Sequence, residues 1–402
     1  FIAVVLPRDA MITLGSKIFR QNLFNQKMVQ LTTLSNHKKW VFSSVDERQT
    51  VALVIVNKGM EKLGKVYLKG PFRDKSSFVK NRNTKGKLFR ANEIEKWNES
   101  CSLPLLPNED SIDVFVTMRK SADLGLDDNE SWRARPYSEL HATNDGPKKK
   151  HIFDLNYENC PDNYWPVYKG SSFNLWEPDT GEYYGGADPI KALDQLHNRR
   201  QRGSAFSEFD QKWINNPITN PPLYPRIAFR QVSRATDRRT IRCALIPPKV
   251  FITNAGPYML WPRGTEEDVA YLLGIMSSIP FDWYARLFVE KNVSLFLIRC
   301  FPIPRIESEN IYRKRVKELA GRLACVDERY ADWAKEIDVE YGLLPPKEKN
   351  DMIHELDAVV AHLYGLSEEQ LIHIFETFHV GWDYQDRLDD TLEHFNHWNQ
   401  KL

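Results

Sequence analysis

Two short, unbroken apolar runs, Phe1–Leu6 (FIAVVL) and Val51–Val56 (VALVIV), constrain this chain most tightly. Runs of five or six apolar residues have no polar face to give to solvent. Their length and β-branched content predict strands covered on both sides, as in a parallel sheet packed between helices. Pro7 stops the first run. Apolar residues at Ile12, Ile18, Phe19 and Leu23 then predict a helix over Ala10–Phe24. Two or three strands rarely make a stable domain alone. Residues 1–60 therefore read as the end of an α/β domain whose earlier strands lie outside this sequence. A small α/β unit complete in itself is the alternative.

The pattern changes twice further on. Residues 61–130 are polar, rich in Lys and Asn, and read as a connector, with one strand at Ile112–Met118 (IDVFVTM). Residues 131–305 carry Trp, Tyr, Pro and short strand-like runs, at Arg226–Val232, Arg239–Ile246 and Val250–Thr253. Two helices are predicted among them. One is Pro189–Arg202, capped by Asp188, and the other is Thr265–Ser278, capped by Thr265. Residues 306–402 show helical periodicity over Ile311–Ala334 and Lys347–Tyr364. Gly365 suits a C-cap, and Ser367 with Gln370 forms a capping box for Glu368–Phe378. The predicted fold class is multi-domain α+β: a partial α/β sheet, a β-rich domain and a C-terminal helical region.

Charge is the feature most easily misread. The chain has 55 Lys and Arg against 54 Asp and Glu, a net +1. That balance argues against phosphate binding, which needs an excess of cations. The sum hides a segregation. Arg199–Arg242 holds ten Lys and Arg against three Asp and Glu, and Ile306–Leu402 holds eleven against twenty-one. In the basic segment, Arg199 and Arg200 sit near a helix end. Arg226, Arg230, Arg234, Arg238, Arg239 and Arg242 sit on or between two predicted strands. Guanidinium groups on such a ribbon can reach phosphates and fork onto guanine O6 and N7. A salt-bridged surface hairpin is the other reading.

Other chemistries find little support. No apolar run approaches the ~20 residues that cross a bilayer. The five cysteines are odd in number and contain no CxxC pair, which suits a reducing, cytoplasmic setting. His354, His362, His373, His379, His394 and His397 lack Cys partners at zinc spacing. No GxSxG marks a hydrolase, and Asp113 with Lys120 does not make a nuclease core. Asn220-Pro221-Pro222-Leu223 has the outline of a methylase loop. It ends in Leu and follows no buried strand, so it reads as proline-rich loop. Gly181–Gly186 is Tyr-rich and reads as a turn.

Several stretches, in order, resemble the C-terminal part of an adenine-N6 DNA methyltransferase of the Eco57I-like or type IIG restriction-modification group. Val5-Leu6-Pro7-Arg8, Val41-Phe42 and Arg48–Val56 resemble the last strands of its methylase domain. Trp132–Asp145, Pro166–Trp176, Pro225–Ile246 and Phe281–Arg305 resemble its target-recognition domain. His354–Phe378 and Gly381–Tyr384 resemble its helical tail. The resemblance implies transfer of a methyl group from S-adenosylmethionine to a flipped adenine in a defined DNA site, in restriction-modification or phage defence. It implies that Phe42 stacks on the flipped base. It places Lys169, beside Gly170, in a DNA-facing loop and adds Lys291 and Asn292 as further contacts. The glycine-bearing cofactor motif and the Asn-Pro-Pro-aromatic loop are not in this sequence. The resemblance therefore implies no methyl donor bound to this fragment, no catalysis by it alone, and an N-terminal methylase portion, with or without a nuclease. The partner implied is double-stranded DNA and no membrane. A specificity subunit docking a separate methylase, or a protein-interaction module with no DNA role, are the rival readings.

Overall fold

The first unit of the computed structural model comprises Phe1–Lys120 with Arg286–Phe288. The structure describes residues 1–47, 49–97, 100–108, 110–129, 131–233, 237–289, 291–378 and 381–400. The unit runs β1 (Ile2–Pro7), α1 (Asp9–Ile12), α2 (Lys17–Phe24), β2 (Met28–Ser35) and β3 (Thr50–Asn57). It continues with β4 (Lys65–Phe72), α3 (Lys75–Asn81), β5 (Lys87–Arg90), α4 (Ala91–Glu95) and α5 (Ser111–Met118). One sheet has the order β1-β3-β2-β4-β5.

Both apolar runs are strands, but neither is covered as expected. β3 lies between β1 and β2 and is antiparallel to both; in this sheet, among the described residues, only β2 and β4 pair in parallel. β1 is an edge strand, and Val5 keeps 52% of its surface exposed. Apolar content fixed the conformation of this run, while its burial depends on what packs beside it. β3 has neighbours on both sides and buries Val51, Ala52, Val54 and Val56.

Three further expectations fail for local reasons. The helix over Ala10–Phe24 is two helices, because Thr13 is extended at φ −72°, ψ 145°. Buried Arg20 then ties the pieces together, donating to Ala10 O and Cys101 O at 3.0 Å each. Burial lowers its guanidinium to about 10. Ile112–Met118 is helix α5, not a strand. Ile112 and Phe115 share its buried face, as do Val114 and Met118, and Asn108, just before it, accepts from Ser111 N at 3.0 Å. Residues 61–130 are not a connector, since β4 and β5 extend the sheet.

The second unit comprises Ser121–Ala285 with Val289–Leu402. Its strands are β6 (Ala122–Asp123), β7 (Arg133–Tyr137), β8 (Asp154–Leu155), β9 (Trp165–Tyr168) and β10 (Gly185–Ala187). After α6 (Pro189–Arg200) and α7 (Gln211–Asn215) come β11 (Arg226–Phe229), β12 (Cys243–Ile246), β13 (Phe251–Ile252) and β14 (Tyr258–Arg263). Helices α8 (Glu266–Ser277), α9 (Ile279–Arg286) and α10 (Leu295–Arg299) follow, then β15 (Pro302–Ile303). The tail is α11 (Ile311–Ala324), α12 (Ala331–Glu336), α13 (Pro346–Leu363), α14 (Glu368–Phe378) and α15 (Gln385–Asn399). The sheets run β13-β9-β10-β8, β12-β11-β14-β7 and β15-β6. This is a mixed α+β architecture with several small sheets.

The caps read from sequence are present. Asp188 accepts from Ile190 N, and Thr265 forms a capping box with Asp268. Gly365 takes φ +69°, and Ser367 exchanges hydrogen bonds with Gln370 at 3.1 and 3.2 Å. One expected helix is shorter. The Ile311–Ala334 helix stops at Ala324, and fully buried Tyr330 donates its hydroxyl to Leu245 O at 2.7 Å. The β-rich region and the tail form one unit rather than two. α8 is buried along nearly its whole length, and α11 crosses it at Gly274, where a Cβ would lie 2.5 Å from Val316.

The tail is closed by a buried carboxylate. Asp357 on α13 accepts from Ile279 N at 2.8 Å and from both Nε and Nη2 of Arg387 on α15, at 2.9 and 2.5 Å. Removing one member of such a pair leaves an uncompensated buried charge. Arg387→Ala should lower unfolding free energy by about 3–5 kcal/mol. Urea denaturation checks this, and an unchanged midpoint would contradict it.

Candidate nucleic-acid interface

The basic segment is not a regular ribbon. All four residues of β11 are buried, so Arg226 has no solvent face. The second strand begins only at Cys243, leaving Arg239 and Arg242 outside it. The cause is Asp282 on α9, which is fully buried. Its carboxylate accepts from Thr240 N at 3.0 Å, Ile241 N at 3.1 Å and the guanidinium of Arg239. A side chain thus takes the hydrogen bonds that a neighbouring strand would have made.

Most of the predicted arginines hold the fold. Arg199 forks onto Asp145 at 2.5 and 2.9 Å. Arg200 is buried, lies 4.8 Å over the Trp213 ring, and donates to Thr219 Oγ1 at 3.1 Å. Burial lowers its pKa. Arg226 pairs with buried Glu139 at 3.3 Å and lies 4.8 Å over Tyr258. Burial pushes the Glu139 carboxyl up, and Arg226 pulls against it. Arg230 donates twice to Phe173 O, at 2.6 and 3.0 Å, and burial lowers its pKa. Arg242 pairs with Asp237 at 3.0 Å, and Lys169 with Glu182 at 3.6 Å. Arg234 lies outside the described residues.

Three candidates face solvent together. Arg238, Lys291 and Asn292 are exposed. Val232 bridges Asn292, and Ser233 N donates to Lys291 O at 3.2 Å, joining two loops. A third segment closes on the first: Tyr384 donates to Arg238 O at 3.3 Å, and the Arg238 guanidinium lies 5.2 Å over Trp382. Sequence reasoning missed Trp382 and Val232 as surface residues. Trp382 is 43% and Val232 60% exposed. No periodicity signals such a convergence, because the three segments are far apart in sequence.

In the first unit, Phe42 is 38% exposed, so it is not a core residue. Fully buried Asn36 holds it. The Asn36 amide oxygen accepts from Phe42 N at 2.9 Å and Val41 N at 3.1 Å, and its nitrogen donates to Phe42 O at 3.0 Å. Asn220 is a buried loop residue that donates to Leu193 O at 3.3 Å, and its loop follows no strand. Three of the histidines are engaged by carboxylates or rings, and His379 lies outside the described residues. His354 Nδ1 lies 2.9 Å from Asp390, His394 Nε2 lies 2.9 Å from Asp351, and His362 stacks on Phe395 at 3.9 Å. β1 passes to α1 through Arg8, whose guanidinium is bound to Leu287 O. The five cysteines are free thiols, and no helix of the described residues is long and apolar enough to cross a membrane.

One ion pair carries a pH signature. Burial raises the Asp145 carboxyl, but the Arg199 fork and the His141 amide outweigh it and hold it below the ordinary range. Its stabilising contribution is complete above the unfolded value, about 3.9, and is lost as pH falls through the lower folded value. Asp145→Asn should therefore flatten the acid limb of stability below about pH 4. Equilibrium unfolding across pH measures this, and an identical acid limb would contradict it.

No protein-family model matches the chain, and no curated protein matches it. Among solved structures it is similar to the type IIG restriction endonuclease BpuSI. The identity is 14%, the match covers 90% of this chain and 47% of that one, and the TM-score is 0.35. It is also similar to the type IIL restriction-modification enzyme MmeI, solved in complex with DNA. There the identity is 12%, the coverage 96% and 50%, and the TM-score 0.44. The chain spans about half the length of these two proteins.

Proposed function

We propose that this chain recognises a duplex DNA sequence on behalf of S-adenosylmethionine-dependent adenine-N6 methylation. The observation that carries the reading is the shared surface of Arg238, Lys291 and Asn292, built where three distant segments meet. Cations exposed on a buttressed loop suit phosphate contact, and an asparagine amide can pair with the N6 and N7 edge of adenine. Phe42 offers a half-exposed ring fixed through its own backbone, as a stacking partner for an extruded base requires. The apolar residues exposed on β1 suit cover by further strands of a methylase sheet, which would supply the seat for the methyl donor. The methyl transfer is assigned to that portion.

Selection of duplexes from a random pool should enrich one motif. Arg238→Ala should weaken binding to all sequences alike, while Asn292→Ala should cost roughly 1–3 kcal/mol and relax one position. Arg239→Ala instead should lower stability through Asp282. A pool with no enrichment overturns sequence-specific recognition. In a protein that also contains the methylase portion, Phe42→Ala should depress methylation more than DNA binding. Methylation equal to wild type removes the stacking role.

A further inference from the structure

The densest excess of cations lies outside the surface described above, at the β4–β5 edge of the first unit's sheet. From Lys58 to Arg90 there are eleven Lys and Arg against two Asp and Glu, a net +9. The two acids are committed elsewhere. Glu61 lies 3.7 Å from Lys27, and Asp74 caps α3 by accepting from Ser77 N at 2.9 Å. Arg73, Lys75, Lys80, Arg82, Lys85 and Lys87 are all exposed. Among the described residues, none of the six forms an ion pair. This inverts the second unit, where most arginines of the basic segment have a carboxylate or carbonyl partner.

The edge is also shaped. Lys69 is buried and donates its ammonium to Arg82 O and Thr84 O, at 2.8 Å each. That contact pins the turn between α3 and β5 onto β4. Gly86 completes the turn at φ +77°, where a Cβ would lie 2.3 Å from Leu68 O. The turn thus carries Arg82, Lys85 and Lys87 on a fixed backbone. α3 itself is anchored by Phe78, which packs 5.7 Å from Phe72 and 6.2 Å from Trp40. Trp40 belongs to the loop that presents Phe42, and exposed Lys38 and Lys39 precede it. α3, which carries Lys75 and Lys80, therefore packs on the loop whose ring is assigned to the extruded base.

Lysines on an exposed sheet edge also discourage edge-to-edge pairing. That role needs one or two charges. Six unpaired cations on one short stretch repel one another, and a polyanion relieves the repulsion. We propose that the β4–α3–β5 edge grips the phosphate backbone of duplex DNA beside Phe42. The proposal rests on the duplex reading above and adds to it a contact that is blind to sequence.

The test compares the full chain with a Lys75→Gln, Lys80→Gln, Lys85→Gln, Lys87→Gln variant, titrating duplex binding against salt. Each lost phosphate contact should reduce the log–log slope by roughly 0.9, so a variant that loses all four should be shallower by roughly 3.6, equally for all sequences. Wild-type affinity and slope in a folded variant would overturn the proposal and leave sequence recognition by Arg238 and Asn292 intact. No duplex binding by the wild type would overturn both. Acetylation of the unaltered chain gives a second readout that no folding defect can disturb. Duplex should protect these four lysines, and equal labelling with and without DNA would overturn the proposal. So would protection by phosphatidylserine vesicles and not by DNA, which would assign the edge to a lipid surface.

Discussion

The carboxylate of Asp282 is the contact on which the candidate surface depends. It is fully buried, and it satisfies the Arg239 guanidinium and the backbone of Thr240 and Ile241 together. A buried charge is tolerated only when it is paired and hydrogen-bonded in this way. The result delays the start of β12 to Cys243, and in the loop before it Arg238 reaches solvent while Arg239, its neighbour in sequence, is anchored by Asp282. Adjacent arginines thus have opposite roles, decided by which one the carboxylate takes.

The same distinction sorts every cation considered. Arg199, Arg226 and Arg242 answer to Asp145, Glu139 and Asp237, and Arg230 answers to a carbonyl. These side chains define where loops and helices sit. Arg238, Lys291 and the exposed cations of the β4–α3–β5 edge lie at the surface. Binding a polyanion draws on this second group, because an arginine already held by a buried acid must abandon it before it can reach a phosphate.

Much of the helical architecture was legible in the sequence. Asp188, Thr265, Ser367 and Gly365 act locally, and each cap is where its residue type put it. What failed depended on distant partners. FIAVVL specified a strand, but its burial rests on neighbours that local sequence does not encode. IDVFVTM satisfied two periodicities, and the chain takes the helical one, which buries Ile112, Val114, Phe115 and Met118. The arginine count of residues 199–242 suggested one basic ribbon, but five of those side chains find partners far away in sequence. The denser run at 58–90 was passed over because its polarity looked like a linker. Sequence shows charge; only structure shows which charges are already neutralised.

The most direct test is the affinity of the whole chain for duplex DNA measured from low to high salt. The account predicts a linear fall of log affinity with log salt, with a slope set by several phosphate contacts at roughly 0.9 each. An affinity that does not change with salt, or no binding at low salt, would contradict it.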